Sequence, residues 1–137
     1  MQTSPIIFGG ADSSQRCYDD VKDLVSKVGF FPVLKVCLLV LSDNMADNTH
    51  AIAIYFVRDN RDVIVEPGLS YGYNGTGPRL LKDTLLILMK HDIKVFYTVE
   101  VSKEEYKSIR SGEMDIQSLS KWDRIECKLL LQKWYPK

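Results

Sequence analysis

Apolar residues along this chain follow two periods, and each period predicts an element. Between Ser13-Ser14 and Gly29, Cys17, Tyr18, Val21, Leu24, Val25 and Val28 recur at three- and four-residue spacing. Asp19, Asp20, Lys22, Asp23 and Lys27 fill the positions between them. That is an amphipathic helix, capped by serine and stopped by glycine. VLKVCLLVL (33–41) follows Pro32 as a short continuous apolar run. It predicts a buried strand, with a helix as the alternative. AIAIYFV (51–57) and DVIVE (62–66) flank the turn-forming RDNR (58–61) and predict an antiparallel hairpin.

The second half of the chain reads the same way. Leu80, Leu81, Thr84, Leu85, Leu88 and Met89 make one apolar face of a helix over 78–91. Pro78 suits its first position, and Lys90-His91 sit in its last turn, where positive charge is favoured. KVFYTVEV (94–101) alternates as a strand. Ser102 and Glu105 form a capping box for a short helix to about Arg110, which Ser111-Gly112 ends. Ile125, Cys127, Leu129 and Leu131 alternate with Glu126, Lys128, Leu130 and Gln132, predicting a strand over 124–131. The order α-β-β-β-α-β-α-β predicts one α+β domain over 1–137, with a mainly antiparallel sheet and helices packed on one face.

Composition narrows the function classes. The 137 residues are 45% hydrophobic and 26% charged, values of an ordinary globular domain. Eighteen basic and eighteen acidic side chains cancel. Duplex nucleic acid, which needs a basic stripe, is therefore not an expected partner. A small anion needs only local positive charge. The three cysteines, Cys17, Cys37 and Cys127, have no disulfide or zinc spacing. MQTSPIIFGG lacks the pattern of a signal peptide, and the apolar run 36–41 is too short to span a bilayer. The expectation is a cytoplasmic protein with no membrane partner.

Catalytic and metal patterns are absent from the sequence. His50 and His91 stand in no recognisable catalytic arrangement, and His91 reads as a dipole partner at a helix end. Asp43, Asn44, Asp47, Asn48 and His50 cluster in one loop, but without the alternate carboxylates and final Glu of a calcium loop. No metal or cofactor is expected.

One stretch exceeds the needs of a turn. YGYNGTGPR (71–79) holds three glycines, two tyrosines and an arginine just before the helix over 78–91. Its plain reading is a connecting loop, with Thr76 or Gly77 as N-cap. Yet Arg79 stands in the first turn of the helix, where the dipole prefers an acid. An anion between them resolves the conflict. Backbone N–H groups of Gly75, Thr76 and Gly77 would grip a phosphate, and Arg79 would pair with it. Tyr71 or Tyr73 would stack on a base, and Asn74 would read a base edge or a sugar hydroxyl. Arg58 and Arg61 lie in the hairpin turn, either a plain turn or the edge of the same pocket, with Arg61 the better candidate. A small nucleotide ligand is the expected partner.

The stretch Y-G-Y-N-G-T-G-P-R-L-L (71–81) also resembles the aromatic-Gly-Gly-Pro turns of small phage-encoded α+β proteins, among them the Thoeris anti-defence sponges. Those proteins sequester cyclic ADP-ribose signals at subunit interfaces. The resemblance implies that aromatics stack an adenine and arginines neutralise a pyrophosphate. Tyr71, Tyr73 and Arg79, with Arg58 or Arg61, match those roles. Three function classes compete: non-catalytic sequestration of a nucleotide, a protein–protein inhibitor or immunity protein, and a small phosphoesterase using Asp83, Glu66 or Asp62. The first is favoured because no acid–base pair is evident. A homo-oligomer is expected, from the supply of apolar strand and from Trp122, Trp134 and Tyr135 near the C-terminus.

Overall fold

The computed structural model describes residues 4–41, 50–72 and 75–136. The chain forms β1 (Ile6–Phe8), α1 (Ser14–Ser26), β2 (Val33–Leu41), β3 (His50–Arg58) and β4 (Val63–Tyr71). It continues as α2 (Thr76–Lys90), β5 (Val95–Val101), α3 (Lys103–Ser111), a single 3-10 turn (Ile116–Ser118), β6 (Asp123–Glu126) and α4 (Cys127–Trp134). The six strands make one mixed sheet in the order β1-β4-β3-β2-β5-β6. The pairs β4–β3, β3–β2 and β5–β6 are antiparallel, whereas β1–β4 and β2–β5 are parallel. The fold is α+β, as the sequence predicts. In consequence β1, β4, β2 and β5 all end at the same edge of the sheet.

Two cores result from the period of the strands. Val36, Leu38 and Val40 of β2 face one side with Ile52, Ile54 and Phe56 of β3. Cys17, Val21, Leu24 and Val25 of α1, Leu81, Leu85 and Leu88 of α2, and Cys127 and Leu130 of α4 cover them. Cys37, Leu39, Leu41, Tyr55 and Val57 face the other side, under Tyr106 and Ile109 of α3 and Ile116 of the turn. The helices therefore occupy both faces rather than one. α3 is too short to span the sheet, but its Tyr106 and Ile109 lie three residues apart and both point inward. Its capping box is formed as expected, with the Ser102 hydroxyl accepting from the Glu105 N–H and the Glu105 carboxylate accepting from the Ser102 N–H.

Three elements differ from the sequence expectation. β1 is an additional three-residue edge strand, aligned in parallel with Val63–Val65. β4 runs past Pro67-Gly68 to Tyr71 because the ladder shifts register: Ile54 faces Val65, but Ile52 faces Leu69. A bulge of this kind accommodates a proline inside a strand. The predicted strand over 124–131 is a strand only to Glu126, and then a helix. Cys127, Leu130, Leu131 and Trp134 are spaced for one helical face, and all four pack on the core. The alternating reading would have buried Leu129, which is 51% exposed.

All three cysteines are free and buried. Burial pushes the Cys37 thiol up to about 12, with the Lys35 charge opposing, and the Cys127 thiol up to about 11. Tyr55 and Tyr106 are raised further, first by burial and then by their bonds to Asp62 and Glu66. An unfolded chain releases these protons from about pH 8.5 upward, before the folded chain does. The unfolded state then binds fewer protons, so stability must fall as pH rises. Urea unfolding at pH 8 and at pH 10.5 should show a clearly lower midpoint at the higher pH. Equal midpoints would contradict these burials.

Candidate ligand site at the start of the second helix

The residues singled out in 71–79 do not form one uniform loop. Tyr71 is the last residue of β4 and pairs with His50 at the start of β3. Gly72 takes a positive φ of 107°, turning the chain out of the sheet. Tyr73 and Asn74 lie outside the described residues. Gly75 is the N-cap of α2, in extended conformation, and makes no side-chain capping bond. The helix thus begins at Thr76, two residues before the expected proline start, and Gly75 replaces Thr76 or Gly77 as cap. The Arg79 N–H closes the first turn on the Gly75 carbonyl at 3.2 Å. The N–H groups of Thr76 and Gly77 have no intrahelical partner, and Pro78 has no N–H to offer.

Charge at this helix end is as the sequence implies. The first turn has no acidic residue, and Arg79 is exposed. Arg79 and Asp83, one helical turn apart, form no ion pair: the ion pairs among the described residues are Arg16–Asp20 and Arg110–Glu66. Arg79 is therefore exposed and without an ion pair among the described residues, while Gly77 and Pro78 before it are buried.

An aromatic stack stands next to that helix end. The Tyr71 ring lies between His50, with centroids 4.8 Å apart, and Trp134, 4.2 Å away and nearly parallel at 10°. Both faces of Tyr71 are therefore taken, and it cannot be the ring that stacks a ligand. Burial, aided by the Glu100 charge, raises its phenol. Trp134 closes the stack and is only partly buried. Behind it, the Tyr135 hydroxyl donates to the Pro78 carbonyl at 2.7 Å and ties the C-terminal segment to α2. The Lys82 ammonium lies 5.7 Å from the Tyr135 ring centroid.

Two clefts open around the Tyr71–Trp134 pair. One, of about 580 Å³, is lined by Gly72, Pro78, Lys133, Tyr135 and Pro136 together with the two rings. The other, of about 270 Å³, reaches from the rings to Thr98, Glu100, Lys121 and Asp123 at the end of β5. Lys133 borders both. Their place at the shared carboxyl edge of β4, β2 and β5 is the usual position of ligands on sheets with parallel strands.

Arg58 and Arg61 do not belong to this site. They sit at the opposite end of β4, about 25 Å from Tyr71 by strand rise. Arg58 donates to the Phe30, Gly29 and Arg61 carbonyls and lies over the Phe30 ring. Arg61 donates to the Ser4 carbonyl at 2.8 Å. Both hold the chain together rather than a ligand. Two of the three phosphoesterase candidates, Asp62 and Glu66, are engaged too. Asp62 accepts from the Tyr55 hydroxyl and the Arg58 N–H, and Glu66 accepts from Tyr106 and Arg110. Among the described residues no group of three or more His, Cys, Asp or Glu could hold a metal ion.

Trp134, Lys133 and His50 are the site residues absent from the sequence-based set. The helical spacing from Cys127 to Trp134 was the available signal for the first. No such signal places His50 against Tyr71, since only strand register brings them together.

No protein-family profile and no curated protein matches this chain. Among solved structures, it is similar to a chain of respiratory complex I from Thermus thermophilus, with a TM-score of 0.68 at 15% identity. The similarity covers 90% of this chain and 98% of the other, and at that identity it is a likeness of fold.

Proposed function

We propose that the protein binds a small phosphate-bearing nucleotide without turning it over. The observation that carries this reading is a cleft at the end of β4 that brings the Tyr71–Trp134 stack and Lys133 against Pro78, in the first turn of a helix with no side-chain cap. The exposed Thr76, with its N–H free of intrahelical bonding, and the exposed Arg79 guanidinium suit a phosphate, whereas Gly77 is buried. Trp134, the end of the stack, suits a base, and Lys133, which lines the same cleft, adds positive charge. A signal of the cyclic ADP-ribose type, sequestered as by a Thoeris anti-defence sponge, fits such a cleft. The placement would be cytoplasmic, which three free thiols also suit. Among the described residues, no helix is long and apolar enough to cross a membrane.

Thermal-shift measurement against ADP-ribose derivatives and cyclic nucleotides tests the reading. A ligand present at a hundred times its Kd should stabilise the fold by about 2.7 kcal/mol. No shift with any phosphate-bearing ligand would sink it.

A second reading, a protein–protein module such as an inhibitor, immunity protein or assembly subunit, draws on the fold likeness to a chain of a multi-subunit complex. Ile7, Leu34 and Leu129 are exposed and would suit a contact. The C-terminal aromatics Trp134 and Tyr135 do not support it, since they pack back on the domain. Self-association is part of the proposal on the same exposed residues, and light scattering that gives the monomer mass at all concentrations would remove it.

A further inference from the structure

A different cavity lies on the opposite face of the sheet, away from the helix start and the ring stack. Its floor is Cys37 of β2 and Val57 of β3, with Tyr97 of β5 directly beside Cys37 in the ladder. Ile116 and Gln117 of the 3-10 turn, and Trp122 after it, form the opposite wall. The space is about 170 Å³. An apolar cavity of about 150 Å³ accepts a benzene molecule, so one six-membered ring fits. Cys37 and Ile116 are each 2% exposed, so floor and roof are held firmly in the core.

The chemistry of the walls is specific. Tyr97 and Trp122 offer two aromatic surfaces to a flat ring. Lys35 stands at the rim with its ammonium 5.1 Å from the Tyr97 ring centroid. It makes no ion pair among the described residues. Gln117 brings an amide to the same rim, so a cation and an N–H donor are available for the two oxygens of a carboxylate. Burial keeps the Cys37 thiol protonated, which leaves the floor apolar and the site non-covalent.

We propose that this cavity is a binding site for a small aromatic carboxylate, of which benzoate is the simplest member. It is independent of the nucleotide reading, because it shares no residue with that cleft. The ring enters between Tyr97 and Trp122, and the carboxylate stays at the rim against Lys35 and Gln117.

Amide and indole NMR shifts during titration with sodium benzoate at constant ionic strength test this. Saturable shifts are expected at Lys35, Cys37, Val57, Tyr97 and the Trp122 indole. Acetate should leave those signals in place, and benzyl alcohol should move them less at equal concentration. Lys35→Met, at an exposed position, should weaken benzoate about tenfold while leaving benzyl alcohol unchanged. Gln117→Leu, also exposed, should weaken benzoate several-fold. Absent shifts at these residues, shifts gathered instead around Trp134, or equal benzoate affinity in Lys35→Met would overturn the proposal.

Discussion

Gly68→Ala should destabilise the protein by about 3 kcal/mol, lowering its melting temperature by about 10 °C. A Cβ at Gly68 would lie 2.3 Å from the Gly10 carbonyl oxygen, 2.7 Å from the Cys17 sulfur and 2.8 Å from the Ser13 carbonyl oxygen. Those atoms cannot simply move aside. The Gly10 carbonyl already accepts from the Ser13 N–H and the Cys17 thiol, while the Ser14 hydroxyl donates to the Gly68 carbonyl at 2.7 Å. The β4 bulge is thus pressed directly onto the turn that starts α1. Gly29→Ala is the control. There φ is +87° with nothing within 4 Å, so only backbone strain of about 1 kcal/mol is expected. Urea unfolding of both variants distinguishes them. A Gly68→Ala midpoint equal to that of the wild type would refute the close approach.

Trp134→Ala should have two separate consequences. Its ring covers Tyr71 and packs against the core shared by α1, α2 and α4, so its loss should lower stability by about 3 kcal/mol. It should also remove the surface on which a base would stack, weakening nucleotide binding by about 1–3 kcal/mol. Trp134→Phe separates the two, because a smaller ring keeps some stacking and most of the packing. It should melt near the wild type and bind with intermediate affinity. If Trp134→Ala melts as the wild type does, α4 is not docked through this ring. If Trp134→Phe and Trp134→Ala bind the nucleotide as the wild type does, the stack is structural only.

The elements whose burial follows a single period were legible in the sequence. α1 buries Cys17, Val21, Leu24 and Val25, and α2 buries Leu80, Leu81, Thr84, Leu85 and Leu88, all on the face their spacing predicts. The C-terminal segment was not, because its letters fit two periods at once. Ile125 and Cys127 alternate as a strand, while Cys127, Leu130, Leu131 and Trp134 repeat as a helix, and packing on the core decides for the helix. Pro67-Gly68 looked like the end of a strand because a bulge leaves no local signature that a turn does not share. The site was legible only in part. Gly75, Thr76 and Arg79 are exposed at the start of α2, whereas Gly77 is buried there. Arg58 and Arg61 were misplaced because an antiparallel strand carries the chain away from its own turn. Of the two candidate stacking rings, Tyr71 and Tyr73, the faces of Tyr71 are filled by residues 21 and 63 positions away in sequence, and Tyr73 lies outside the described residues.

Calorimetric titration of ADP-ribose into the wild type and Arg79→Ala tests the central claim most directly. Arg79 forms no ion pair among the described residues and opposes the helix dipole, so its removal should leave the melting temperature unchanged. Binding should nevertheless weaken by about 1.5–3 kcal/mol, the worth of a charge-assisted hydrogen bond. Equal affinity in the two proteins, or no binding heat in either, would contradict an anion at the start of α2.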